Sequence, residues 1–315
     1  MGIYPSPYTH TILSQQFTPE FLEEVFKLAD DVRCSPLQYN EELRGKVVAT
    51  LFFEPSTRTR LSFESAVARL GGAVISTENA REFSSASKGE TIEDTIRIIS
   101  MYADMIVMRH YEDDASLKAL ATVSVPLVNA GSGRSQHPTQ ALLDAYTIWR
   151  EYGKLENLHI AFVGDLLHGR TCDSLVYILA KFSGNMFSFV APENCSLKEG
   201  LKEHLEEHSV LYKELSTIEG VIHDADVLYM TRVQKERFED EAEYEKAKGQ
   251  YVLTKALAER MKEKAIILHP LPRVDEIAVE VDTDSRAKHF EQAQNGLWVR
   301  MALLVLLNRS HNKPS

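Results

Sequence analysis

Val47-Val48-Ala49-Thr50-Leu51-Phe52-Phe53, continuing through Glu54-Pro55 into Ser56-Thr57-Arg58-Thr59-Arg60, is the stretch that decides how this chain is read. The unbroken apolar run predicts a buried strand, and Leu61 to Leu70 has the character of a helix. The polar segment is therefore a strand-to-helix turn. The first N–H groups of a helix lack intrahelical partners and the macrodipole is positive there, so hydroxyls and guanidinium groups delivered to that point make an anion site. The expected anion is a phosphate. Taken alone, Ser56 and Thr57 read equally well as ordinary helix caps with both arginines in solvent.

Two signals further along favour function. In His137-Pro138-Thr139-Gln140 an imidazole and an amide stand one helical turn apart, ahead of the apolar run Ala141 to Tyr146. In His269-Pro270-Leu271-Pro272-Arg273, after the strand pattern Ala265 to Leu268, two prolines fix the backbone and remove N–H donors, so carbonyls are presented.

Strands are predicted at Val47 to Phe53, Ala73 to Ser76, Met105 to Met108 and Val125 to Asn129, with helices between. A second series runs through His159 to Gly164, Met186 to Ala191, Val210 to Lys213, Val227 to Met230 and Ala265 to His269. Alternation of this kind predicts an α/β fold of two doubly wound, mostly parallel-sheet domains. The helical stretch Thr139 to Tyr152 joins them, and the run Leu297 to Leu307, apolar on most faces, must be buried. Lys235 to Lys248 is densely charged and reads as a solvated loop.

The chain has 315 residues, enough for two domains and a sizeable core. Its formal net charge is −11, which argues against a nucleic-acid or membrane-surface partner. A protein of this charge that binds anions must gather its cations locally, and Arg58, Arg109, Arg170 and Arg232 are the candidates. Cys34, Cys172 and Cys195 are too widely spaced for a metal motif or a disulfide framework and read as inert packing residues. No apolar run approaches the roughly 20 residues that span a bilayer, and the start of the chain lacks a basic, then apolar, leader. A cytoplasmic location is expected.

Seven segments in order carry a resemblance. They are Phe53-Glu54-Pro55 with Ser56 to Arg60, Lys88-Gly89-Glu90-Thr91, Val107-Met108-Arg109-His110, His137 to Gln140, Val163-Gly164-Asp165 with Gly169-Arg170-Thr171, Met230-Thr231-Arg232-Val233-Gln234, and His269 to Ile277. Over nearly its whole length the chain resembles the carbamoyltransferases, and among them the catalytic chains that act on aspartate. The resemblance implies carbamoyl transfer from carbamoyl phosphate to L-aspartate, an early step of pyrimidine synthesis, with no cofactor and no metal.

The resemblance also implies roles. Ser56, Thr57, Arg58 and Thr59 hold the phosphate; Thr59, Arg109 and His137 donate to the carbonyl oxygen; Gln140 and the carbonyls near Leu271 and Pro272 hold the carbamoyl NH₂. Arg170 and Arg232, with Gln234 and Lys88, take the two carboxylates of aspartate. Ser84 and Lys88 are expected to reach into the site of a neighbouring subunit in a homotrimer, which regulatory or dihydroorotase-like chains join in some relatives. Glu54 is expected to bridge to Arg170 and Arg237 when the cleft closes. The implied domains are 1-138 with 290-315, binding carbamoyl phosphate, and 139-289, binding aspartate, with the last helix packed back on the first. The charged segment from Lys235 is a mobile loop in relatives.

Ser132 and Cys172-Asp173 depart from the family pattern, the second placing an acid near Arg170. Three other readings compete. Ornithine carbamoyltransferases share the phosphate loop, but Arg232 would repel a cationic substrate and they usually carry cysteine in place of Pro270. A dinucleotide-binding oxidoreductase would need a Gly-x-Gly-x-x-Gly turn after Val163, which is missing. A non-catalytic paralogue would be expected to lack Arg58, Lys88 or His137, and all three are present.

Overall fold

The structure is a computed structural model that describes residues 4–79, 89–235, 238 and 240–312. The chain separates into two compact units, Met1–Leu143 with Asn295–Ser315, and Asp144–Gln294. Each crossing between units falls inside a helix, Pro138–Tyr152 and His289–His311.

The first unit holds four parallel strands, β1 (Val47–Phe52), β2 (Ala73–Glu78), β3 (Met105–His110) and β4 (Leu127–Ser132), in the order β2-β1-β3-β4. The second holds β5 (His159–Val163), β6 (Met186–Val190), β7 (Leu211–Leu215), β8 (Val227–Met230) and β9 (Ile266–Leu268), in the order β7-β6-β5-β8-β9 and again all parallel. The central strands are buried along their length, which is why they read as unbroken apolar runs rather than alternating ones. In the second unit Phe162 stacks on Phe189 and meets Phe187 edge-on and Tyr229 at a tilt across adjacent strands, and the Tyr229 hydroxyl donates to Asp144 at 2.7 Å.

The final helix is buried without interruption from Val299 to Leu307, as an all-round apolar sequence requires. It packs within the first unit. Arg300 donates to Ser62 Oγ at 2.6 Å and lies over the Phe63 ring, while Asn308 and Arg309 both bond Glu42. Each fully buried aliphatic side chain there contributes about 1.5–3 kcal/mol.

Three expectations need correction. The charged segment Lys235 to Lys248 is not all loop: Glu241–Ala247 is helical, capped by Asp240, which accepts from the Ala242 N–H at 2.8 Å, and its Ala247 is buried. Charge density alone hid an amphipathic turn. Cys34 is exposed rather than packed, unlike Cys172 and Cys195. β4 begins and ends later than predicted, because its last residues, Asn129 to Ser132, are polar or small yet still buried and paired.

Candidate active site

Strand order places the first group of candidate residues. β1 and β3 are neighbours, with Phe52 opposite Arg109 and the Phe53 N–H donating to the Arg109 carbonyl at 2.9 Å; β4 lies on the other side of β3. In a parallel sheet all carboxyl ends share one edge, and ligands gather where successive connections turn opposite ways. Here that point lies between β1 and β3. The loop Phe53 to Ser56, Arg109 and the turn before His137 thus converge on one edge of one sheet.

Ser56 is the N-cap of the helix Thr57–Arg69, extended at φ −159°. No hydrogen bond from its side chain caps that helix. Thr57 and Arg58 are exposed, and Thr59 is buried in the first turn. The two arginines of the motif differ in kind. Arg60 lies 2.7 Å from Glu78 and 3.6 Å from Glu64, a surface-side brace between helix and β2, while Arg58 sits exposed at the helix start. Arg109, largely buried, places Nη2 3.0 Å from Glu54 Oε2. Glu54 thus has a cationic partner within its own unit; Arg237 lies outside the described residues.

His137 and Gln140 are both buried, and the Gln140 N–H donates to the His137 carbonyl at 3.0 Å, so the two side chains start one turn apart at the head of Pro138–Tyr152. The turn before them is pinned. Ser132 Oγ is 2.6 Å from Ser116 Oγ and 3.1 Å from Asn129 Oδ1, and Gln136 accepts the Ser14 N–H at 2.7 Å. Ser132, the departure from the family pattern, is therefore absorbed into a buried polar network.

The second unit repeats the plan. Its turning point lies between β5 and β8, and those strands end at Val163 and Met230. Gly164 makes the junction work. It has φ +128°, and a Cβ there would overlap the Thr231 carbonyl oxygen, so only glycine lets the two strand ends close on each other. Arg232 follows Thr231, half-buried, and lines a cleft of about 60 Å³ with Gly164, Tyr251 and Glu276. Arg170 opens the helix Arg170–Leu179 and is buried, and Gln234 Nε2 lies 3.5 Å from the His168 carbonyl.

Leu271 and Pro272 belong to the second unit, just past β9. His269 holds that turn. Its Nδ1 accepts the Leu271 N–H at 2.8 Å and its Nε2 donates to Glu276 at 2.6 Å. Burial lowers the pKa of the imidazole. Burial works to raise Glu276, yet bonds from His269 and from the Glu276 and Val274 N–H groups hold its carboxyl below the usual range. His269 is thus a neutral brace that shapes the Leu271 backbone.

The acid introduced beside Arg170 has its own partner: Asp173 Oδ2 is 2.5 Å from Lys198 Nζ. Sequence reading missed this lysine, 25 residues away, and missed Cys195, which folds against Asp165 and His168. Only sheet order, with β6 beside β5, brings these together. Ser84 and Lys88 lie outside the described residues.

Each α/β unit thus presents arginines and a helix start at the carboxyl edge of its own parallel sheet, the arrangement of a ligand-binding α/β protein. Residues 9–150 match the family described as aspartate/ornithine carbamoyltransferase, carbamoyl-P binding domain, and residues 156–307 the Asp/Orn binding domain of the same family. The chain belongs to the aspartate/ornithine carbamoyltransferase family.

Its relatives are more particular. It is 53% identical to the chloroplastic aspartate carbamoyltransferase of Arabidopsis thaliana, covering 94% of this chain and 77% of that one. With the aspartate carbamoyltransferase catalytic subunit of Clostridium acetobutylicum it shares 49% identity over 92% and 95% of the two chains. The catalytic subunit of M. jannaschii aspartate transcarbamoylase superposes with a TM-score of 0.88 at 45% identity, over 97% of this chain and all of that one. Aspartate transcarbamoylase from Trypanosoma cruzi, in complex with carbamoyl phosphate and aspartate, gives a TM-score of 0.90 at 36% identity, over 96% and 99%.

Proposed function

We propose that this chain is an enzyme that transfers the carbamoyl group of carbamoyl phosphate to the amine of L-aspartate, giving N-carbamoyl-L-aspartate and phosphate, a precursor-forming step of pyrimidine synthesis. The observation that carries the reading is the convergence of the Ser56 to Thr59 loop, Arg109 and His137 on the carboxyl edge of adjacent strands β1, β3 and β4.

Carbamoyl phosphate is an activated mixed anhydride, so no covalent nucleophile is needed. The amine nitrogen bonds to the carbonyl carbon, the carbon–oxygen bond to phosphate breaks, and the amine gives up a proton. Orientation and charge stabilisation carry the rate. In this reading Ser56, Thr57, Arg58 and Thr59 hold the phosphate, and Arg58 meets the charge that develops as it leaves. Thr59, Arg109 and His137 donate to the carbonyl oxygen. Gln140 and the Leu271 and Pro272 carbonyls accept from the carbamoyl NH₂, so donors face oxygen and acceptors face nitrogen. Arg170 takes the α-carboxylate of aspartate, and Arg232 with Gln234 the side-chain carboxylate, since guanidinium forks pair bidentately with carboxylates.

We further assign Ser84 and Lys88 to a neighbouring subunit's site in a homotrimer, and the protein to the cytoplasm. Among the described residues no helix is long and apolar enough to cross a membrane. Mixing inactive Arg58→Ala and Lys88→Ala chains tests the shared site: subunit exchange restores partial activity if it is right and none if it is wrong.

Phosphate release by the purified chain with L-aspartate and L-ornithine in parallel tests the main reading. Release with aspartate alone is expected. Release with ornithine overturns the role of Arg232, and release with neither overturns the assignment of activity to this chain alone.

A further inference from the structure

We propose that Asp165, His168 and Cys195 form a binding site for a single thiophilic divalent cation of the zinc type, built entirely within the second unit. Their donor atoms lie within 4.8 Å of one another. Asp165 and Cys195 are fully buried, while the His168 side chain is 13% exposed and gives the cluster a face through which an ion enters.

The backbone holds all three in place. Asp165 follows β5, and its Oδ1 accepts the His168 N–H at 2.9 Å, which bends the Asp-x-x-His segment back on itself. Cys195 ends the short helical turn Glu193–Cys195 beyond β6, and its carbonyl accepts the Leu166 N–H at 3.0 Å. Two ligands thus come from the ends of neighbouring parallel strands, and the third from one turn along.

Geometry and donor chemistry agree on the ion. Zinc bonds of about 2.0–2.1 Å to nitrogen and oxygen and 2.3 Å to sulfur, at tetrahedral angles, set ligand atoms roughly 3.3–3.6 Å apart. His168 Nδ1 is already 3.1 Å from Asp165 Oδ1 and 3.2 Å from Oδ2. The Cys195 sulfur lies within 4.8 Å of both other donor atoms, so capture of an ion draws it in by about an ångström. A thiolate with an imidazole selects zinc-like ions over magnesium or calcium, and three protein ligands leave the fourth position to water. On binding, the sulfur–metal bond replaces the S–H bond and one proton passes to solvent. The site sits on the segment that ends at Arg170 and whose His168 carbonyl faces Gln234, so an ion here fixes that segment.

Other residues of this chain also attract such ions: His204, Glu207 and His208 cluster on a helix end, and Cys34 is exposed. The test therefore uses the full chain carrying Cys34→Ser and His208→Gln, titrated with Co²⁺ alone. One equivalent is expected, with the visible bands of a four-coordinate ion and a near-ultraviolet thiolate-to-cobalt charge-transfer band, both displaced by Zn²⁺. Cys195→Ser should abolish the charge-transfer band. His168→Gln, at a partly exposed position, should weaken Co²⁺ binding by at least the ~10–100-fold that follows loss of an outer-shell partner. Binding without the charge-transfer band, a band that survives Cys195→Ser, or unchanged affinity in His168→Gln would each overturn the proposal; the last does so even if Cys195→Ser does not fold.

Discussion

Asp173 offers a quantitative test of how this fold accommodates an unusual acid. It lies in the first turn of Arg170–Leu179, 5% exposed, with Lys198 2.5 Å from one oxygen. Burial pushes its pKa up from 3.8 to about 6, even against the attraction of Lys198. The folded state therefore holds a proton that the unfolded chain has released between those two values, and stability falls as pH rises through that window. A shift of about two units corresponds to roughly 3 kcal/mol at 1.36 kcal/mol per unit. An amide has no proton to lose in this range, so in Asp173→Asn the dependence disappears. Urea unfolding of both proteins from pH 3.5 to 7.5, at constant ionic strength, should show the variant gaining about 3 kcal/mol on the wild type between the acid and neutral ends. All of that change should fall between about pH 4 and 6.5. A difference that stays flat across the range would refute the argument, because it would mean that Lys198 offsets the burial completely.

Arg58→Ala should lower kcat by at least the ~10²–10³ typical of losing one donor to a developing negative charge. Arg60→Ala should do the reverse, leaving kcat near wild type and lowering thermal stability, because Arg60 braces Glu64 and Glu78. Arg232→Leu should lower kcat/KM for aspartate by roughly 10- to 100-fold, the equivalent of one hydrogen-bonded charge at about 1.5–3 kcal/mol, while the KM for carbamoyl phosphate stays put; equal losses for both substrates would contradict the assignment. Gly164→Ala puts a methyl against the Thr231 carbonyl at a φ that L residues avoid, so a loss of at least ~1–3 kcal/mol is expected by urea unfolding, and wild-type stability would show that the junction yields.

The fold was legible because both sheets are parallel and their central strands are buried on both faces, which writes each of them as an apolar block. Val47 to Phe53 and Val227 to Met230 need no tertiary information. Legibility failed where burial is not apolar. Asn129 to Ser132 continue β4 with polar and small residues satisfied by Ser116 and one another, and Arg109-His110 extend β3 past its apolar part. In the site, the resemblance gives Arg58 a role and none to Arg60; the fold adds what Arg60 does, holding a pair of carboxylates while Arg58 stays exposed. The Lys198 partner of Asp173 and the Asp165–His168–Cys195 cluster were invisible for a different reason. Nothing in the chain order says that β6 lies beside β5 rather than beside β8, and those contacts exist only once that choice is made.

The net charge of −11 and the anionic substrates of the proposed reaction are reconciled by where the fold spends its carboxylates. Much of the acid meets a local cation: Glu42 holds Arg309, Glu64 and Glu78 hold Arg60, Asp282 holds Arg273, and Asp284 holds Arg286. Exposed charges more than about 8–10 Å away are screened at physiological salt, so the potential at a strand end is set by the groups immediately around it. At the β1 edge those groups include the first N–H groups of Thr57–Arg69, Arg58 and Arg109, with Glu54 at 3.0 Å from the last and Glu78 held by Arg60. At the β5 edge they include Arg170 at its helix start and Arg232 after β8, with Asp173 answered by Lys198 and the buried Asp165 paired with His168. Both turning points therefore gather arginines and helix starts, with the nearby carboxylates individually paired. The helix ends supply part of that field without any side chain, so an anion site of this kind survives drift in overall charge so long as the strand order that aims those helix ends is kept.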